Sequence, residues 1–302
     1  MNEDVIPHPS ALMLQVARDF ARDPVALAAA LALALILLAA LLAPWISPQN
    51  PYNLGELDIL DAKLAPGSKG VHGLAFSLGT DDQGRDMLSA ILYGLRISLG
   101  VGVLSTLAAL AMGMAIGLAA GYAGGRADGA IMRLVDLQLS FPSILIALVL
   151  LAVLGQGVDK IVIALIAVQW AYYARTVRGS ALAEKRKEYV DAARCLAFGP
   201  ARIVFRHILP NVAPPLIVVA TVQVAHAIAL EATLSFLGLG VPITSPSLGM
   251  LVANGFAHLL SGKYWISFFP GVALLVTLVA VNLVGDRLRD VLNPRLASHY
   301  GT

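Results

Sequence analysis

Five runs of this chain carry no Asp, Glu, Lys or Arg: residues 24–55, 97–125, 137–158, 207–230 and 264–285. A bilayer's hydrocarbon core is about 30 Å thick and takes roughly 20 apolar helical residues to cross. Each run is long enough to supply them. Lipid offers no partner for a peptide N–H or C=O, so a spanning segment is a helix or part of a closed barrel. The alternating strands of a barrel are absent from these runs. A shorter apolar run, residues 161–174, reaches spanning length by borrowing outward from Gln156 and Thr176. The expectation is an all-α membrane protein with six transmembrane helices. Composition agrees: 13% of residues are charged, against about 25% in a soluble domain.

Charge sets the orientation. With the N-terminus in the cytoplasm and six spans, fifteen of the 21 Lys and Arg residues fall on the cytoplasmic side and six on the other. Basic residues favour the cytoplasmic side of membrane proteins, so both termini are expected there, in a bacterial inner membrane. The net charge of +2 says little about partners, and no nucleic-acid partner is implied. The single cysteine, Cys195, excludes an intrachain disulfide. The first apolar run is longer than a signal-peptide core and has no clear cleavage site, so it reads as a retained span.

The expected organisation is a cytoplasmic tail (1–23), a first transmembrane helix (24–47), an external segment (48–96), a five-helix core (97–291) that includes a cytoplasmic loop at 178–210, and a cytoplasmic tail (292–302). Within the external segment, residues 79–93 read GTDDQGRDMLSAILY. Thr80, Asp81 and Asp82 suit a helix start, and Met87, Leu88, Ile91 and Leu92 then share one face. This predicts a short interfacial helix, either a lead-in to the second span or a docking surface or external gate. In the second span Ser105, Ala109, Gly113, Gly117 and Gly121 recur every fourth residue. Such a ridge lets another backbone approach closely. In the third span Pro142 removes a backbone donor and predicts a bend. Asp136, near Arg133, is expected to form an interfacial ion pair. Glu231 in the fifth span is the clearest ionisable group inside an apolar run. Intramembrane carboxylates are costly and mark function by default. Glu231 and Pro142 are therefore pathway or gate candidates, with hydrogen bonding to Thr233 and Ser235 as the plainer reading of the glutamate.

No reaction centre is legible. Gly262-Lys263 is followed by Tyr264, so no phosphate-cradling Gly-Lys-Ser/Thr loop is present. There is no HExxH and no Cys pair, and the six histidines are scattered. The chain reads as a conduit without an enzyme's chemistry, with no cofactor or metal site of its own, whose driving force enters from outside.

One segment suits that entry. Residues 184–211 read EKRKEYVDAARCLAFGPARIVFRHILPN, a charged island in an oily chain. An amphipathic helix is expected over 184–197, with Tyr189, Ala192, Ala193 and Leu196 on one side. Gly199-Pro200 breaks it, a second short helix covers 201–208, and Leu209-Pro210 leads into the fifth span. Asp191-Ala192-Ala193, Ala197, His207 and Leu209-Pro210 resemble the cytoplasmic loop of binding-protein-dependent ABC-importer permeases. That pattern is Glu-Ala-Ala, three residues, Gly, nine residues, Ile, one residue, Leu-Pro. Asp replaces Glu, His207 replaces Ile, and Ala197 stands where Gly is usual, with Gly199 as a candidate turn two positions later. Gly79 to Asp86, Gly121 to Gly125, Ser235 to Gly240, and Asn282 to Asp290 with Pro294 are similar to dipeptide, oligopeptide and nickel permeases, of the second subunit of the pair.

The resemblance implies a type I importer fold, with the island's first helix as a coupling helix. It implies a sister permease, two cytoplasmic ATPase subunits that bind the ATP and Mg, and a periplasmic solute-binding protein. Coupling would fall to Glu188, Asp191, Ala192, Ala193, Ala197, Gly199, Leu209 and Pro210. Substrates in such families are dipeptides, oligopeptides, glutathione or nickel complexes. A self-contained secondary carrier and a scaffold without a conduit are the readings from other classes.

Overall fold

The computed structural model describes residues 18–292. Asp23 opens the first helix, α1 (Pro24–Ile46), by accepting hydrogen bonds from the N–H groups of Val25 and Ala26. Pro24 sits in its first turn, where no intrahelical donor is needed. Its alanines, Ala26, Ala29, Ala40 and Ala43, face the bundle, while Leu31, Leu35, Leu38 and Leu41 stay exposed, as a lipid-facing helix requires.

Residues 47–86 form a cap held by buried polar groups. Two 3-10 turns and an antiparallel ribbon, β1 (Ser68–Lys69) with β2 (Ala75–Phe76), are its regular structure. The Gly79–Asp86 stretch is its anchor. Thr80 donates to the Asp61 carbonyl, and the Thr80 carbonyl accepts from the indole of Trp265 at 3.2 Å. Arg85, fully buried, pairs with Asp81 at 2.6 Å and reaches the Ile243 carbonyl at 3.1 Å.

The interfacial helix is not a separate element. One helix, α2 (Met87–Ala123), runs unbroken for 37 residues from its Asp86 cap, about 55 Å at 1.5 Å per residue. Met87, Ile91 and Leu92 are buried against the bundle, so the apolar face meets protein where a membrane surface was expected.

Helices α3 (Gly125–Leu139) and α4 (Ser143–Leu154) meet at 88°. Pro142 caps α4, and the bend expected inside one span is a full break. Helix α5 (Val158–Glu184) follows, then α6 (Glu188–Cys195) in the island. Helix α7 (Pro200–Phe236) is continuous, so the island's second helix is the start of the fifth span. The stretch Ile203–Ile208 is π-helical, with the Leu209 N–H bonded to the Val204 carbonyl. This widened turn absorbs Pro210, whose ring would clash in a regular helix. Helices α8 (Leu248–Phe256) and α9 (Trp265–Leu292) complete the described chain.

Length and composition distinguish fewer than the six expected spans among the described residues. Four helices, α1, α2, α7 and α9, are long and apolar enough to cross a membrane, or five if α3 and α4 form one broken span. Helix α5 is long enough but too polar: Asp159, Lys160, Gln169, Arg175, Arg178 and Glu184 lie along it. It tolerates them because it is the core helix. Ile161, Ala164, Leu165, Val168, Ala171 and Tyr173 are all buried in protein, so lipid does not select its composition.

Candidate functional site

The island is a small folded unit seated on the ends of α2 and α5. Val190 and Ala193 of α6 are buried with Ile203, Ile208, Val212 and Leu216 of α7, against Leu118 of α2 and Val177 and Ala181 of α5. Leu209 packs at the edge of this cluster. Lys185 donates to the Tyr122 carbonyl at 2.5 Å and lies over the Tyr122 ring, tying the island's entry to the end of α2. Tyr189 donates to Glu184, and Asn211 donates to the Tyr189 oxygen and the His207 carbonyl. Burial and the Glu184 carboxylate push the Tyr189 phenol up to about 12, so it stays a donor at any physiological pH.

The opposite face is bare. Glu188, Asp191, Ala192, Arg194, Cys195 and Ala197 are exposed, as are Gly199 and Pro210. Leu196 is 68% exposed and Phe205 66% exposed. The structure thus separates two residues that the sequence places on one contact face: Ala192 points outward and Ala193 inward. One residue per hundred degrees of helix puts adjacent positions on different faces. Asp191 is held by Arg194 at 2.9 Å. Phe205 was missed by sequence reasoning because α7 was expected to begin after it.

The helix ends in a Schellman motif. The Phe198 N–H reaches the Ala193 carbonyl at 3.1 Å, and the Ala197 N–H reaches Arg194 at 2.9 Å. This places Ala197 at the left-handed position, with φ 55°. Glycine is favoured there because it has no Cβ to crowd the following carbonyl. Gly199 does not supply the turn: its φ is −63° and ψ 152°, extended backbone before α7.

Beneath the island, the small-residue ridge of α2 lies on α5. A Cβ on Gly113 would sit 2.5 Å from the Trp170 carbonyl oxygen, and one on Gly117 2.6 Å from that of Ala174. Gly121 approaches Ala181, while Ser105 and Ala109 are fully buried. The ridge's partner is within this chain. Helix α3 is laced to α5 by polar links: Asp128 with Arg178, Gln138 to the Ala167 and Val168 carbonyls, and Asp136 with Arg175. Arg175, on the neighbouring helix, is the partner of Asp136 where Arg133 was expected.

Glu231 lies at the far end of α7 and is 0% exposed. It accepts from Ser98 of α2 at 2.8 Å and from Ser235 at 2.7 Å. Thr233 bonds the Ala229 carbonyl instead. Ser98 in turn accepts from the Leu248 N–H, and Ser235 from that of Val241. The carboxylate therefore joins α2, α7 and the start of α8 in a closed polar knot. Gly240 fits against Ser235 so closely that its Cβ would lie 2.1 Å from the hydroxyl. Among the described residues no cluster of His, Cys, Asp and Glu is arranged to hold a metal.

Residues 113–298 match the family described as the binding-protein-dependent transport system inner membrane component. The chain belongs to that family. Residues 12–66 match the N-terminal transmembrane domain of oligopeptide transport permease C. The permease is 39% identical to the di/tripeptide transport system permease protein DppC of Pseudomonas aeruginosa over 290 residues, covering 96% of this chain and 94% of that protein. It is 43% identical to the dipeptide transport system permease protein DppC of Escherichia coli K12 over 253 residues, 83% of each chain. In fold it is similar to the MetNI methionine ABC transporter in an inward-facing conformation, with a TM-score of 0.55, 20% identity, and coverage of 68% of this chain and 97% of that one.

Proposed function

We propose that this permease subunit pairs with a sister permease to carry di- and oligopeptides across a bacterial inner membrane, both termini cytoplasmic. A periplasmic binding protein delivers the peptide, and two ATPase subunits bind ATP and Mg and seat on the islands. The observation that carries this reading is the bare face of α6. A short helix with an apolar back buried in the bundle presents Ala192, Leu196 and Ala197 outward, beside Phe205. Exposed large apolar side chains clustered on a charged loop mark a protein contact. The small Ala192 lets a partner groove close over the helix, and Asp191 and Glu188 offer carboxylates to a basic rim. Peptide is favoured over nickel complexes or glutathione by two relatives matched over 83% or more of this chain, named for di/tripeptide and dipeptide transport.

The test is Ala192→Arg in the assembled importer. The side chain enters the contact without touching the buried cluster, so the subunit stays folded while ATPase subunits dissociate or peptide uptake uncouples from hydrolysis. Undiminished uptake with Arg at 192 refutes the coupling role. Uptake by this chain alone in liposomes, without ATPase, would establish a secondary carrier in its place.

A further inference from the structure

Helices α7 and α9 flank an open groove of about 740 Å³ at their ends nearest the island. Ligand sites are typically roughly 300–1,000 Å³. Pro214, Pro215, Val218 and Val222 make an apolar wall, and Gln223 and Arg289 bring the polar groups. The two polar groups differ: the glutamine is shielded, whereas the arginine is exposed. The Gln223 amide nitrogen is shielded from solvent and has no hydrogen-bond partner. Arg289 pairs with no carboxylate among the described residues. A dry amide without a partner is costly, so this fold holds a donor in reserve. Pro214 and Pro215 supply no N–H, which deprives the Pro210 and Asn211 carbonyls of their regular helical donors.

We propose that this groove is a binding station for a short zwitterionic peptide on its way through the membrane. Arg289 takes the C-terminal carboxylate and Gln223 donates to the peptide-bond carbonyl, while the ammonium group stays in the open mouth of the groove. The proposal rests on the reading of the chain as a peptide-importer permease. The rival occupant is a helix of the sister permease. A spanning helix spends its backbone groups internally and would leave Arg289 and Gln223 unsatisfied, whereas a free peptide brings a carboxylate and a bare carbonyl. A guanidinium is suited to the carboxylate because its parallel N–H donors match the two oxygens.

The experiment uses the complete importer in proteoliposomes, with radiolabelled dialanine as the probe. ATP-dependent uptake, hydrolysis stimulated by the binding protein, and complex integrity on gel filtration are read together. Arg289→Gln should lower uptake roughly tenfold, the loss of one charge-assisted contact, with stimulated hydrolysis unchanged and the complex intact. Arg289→Lys should recover part of the uptake. Val218→Trp, which fills the groove, should block uptake and again spare hydrolysis. Full uptake in both Arg289→Gln and Val218→Trp overturns the site. So does loss of uptake in step with loss of the complex, because the groove is then the sister subunit's seat. Wild-type complex that neither takes up dialanine nor hydrolyses ATP in response to the binding protein overturns the peptide-importer reading itself.

Discussion

Ala197→Gly should tighten the island. Ala197 is held at φ 55° by the Schellman bonds that end α6. A left-handed conformation costs an L-residue roughly 1–2 kcal/mol, and glycine gives back roughly 0.5–1 kcal/mol through its freer unfolded chain, so the net gain is about 0.5–1 kcal/mol. That free energy corresponds to about a two- to fivefold smaller opening constant for the turn. The readout is hydrogen exchange at the Phe198 amide, which donates to the Ala193 carbonyl at 3.1 Å, in the full chain in nanodiscs. Exchange at exposed helix ends reports local opening, so its protection should rise by that factor. Ala197→Val should do the reverse, because a branched Cβ is poorly tolerated at positive φ. Gly199→Ala is the control: φ is −63° and no atom lies within 4 Å of its Cβ position, so Phe198 protection should stay put. Equal protection in the Gly, Ala and Val forms would refute the argument that backbone conformation is what this position demands.

Gly113→Val should lower the thermal stability of the detergent-solubilised subunit by about 1–3 kcal/mol or more, because its Cβ would meet backbone 2.5 Å away. Gly129→Ala, in open space on α3, should raise it by about 0.5–1 kcal/mol in the same melting assay. Glu231→Leu should cost about 1–3 kcal/mol for each of the two serine hydroxyls left without an acceptor. Glu231→Gln, which keeps one acceptor oxygen, should cost less. Melting curves in which Glu231→Leu matches wild type would remove the glutamate from any structural role.

What the sequence made legible was whatever depends on local chemistry. The charge-free runs at α1, α2, α7 and α9 mark lipid contact because every lipid-facing side chain must be apolar. The five-residue ridge of α2 announced a close backbone approach because its spacing matches the helix period. The sequence did not name α5 as the partner, since α5 carries no matching glycine stripe. It offers backbone at Trp170 and Ala174, which every sequence has. Helix α5 was also the hardest to count, because its buried position frees it from the composition rule. At the site, Ala192 and Ala193 were read together from their residue type, yet only the tertiary seat of Val190 decides which of them turns outward. Ala197 was read as a missing glycine, and the backbone angle that glycine serves became visible only with the hydrogen bonds around it. Thr80 and Asp81 looked like helix-start residues and turned out to belong to the anchor of the cap, because the partners that hold this stretch, Ile243 for Arg85 and Trp265 for Thr80, lie more than 150 residues away in sequence.

The same contacts explain how a push on the island could travel. Val190 and Ala193 bear on Val177, Ala181 and Leu118. Above them, Gly117 and Gly113 bring α2 onto the α5 backbone with no side chain between to compress. Interiors packed at this density transmit displacement and do not absorb it. Further along α2, Ser98 hands the contact to Glu231 and so to α7 and α8. Helices α2, α5 and α7 should therefore move together when the island is displaced. The compliant joint lies elsewhere, at the 88° break around Pro142, where no helical hydrogen bonds join α3 to α4. Helix α3 is laced to α5 through Asp128 and Gln138 and α4 packs on α5 through Ala147 and Leu151, so displacement of α5 loads the break between them and should change its angle. A spin label on Val153 of α4, which is 82% exposed, should change its distance to one on Arg126 of α3 when ATP is added to the complex. A label pair on Gly129 of α3 and Thr176 of α5 should stay fixed. Motion in the second pair as large as in the first would move the hinge out of the Pro142 break.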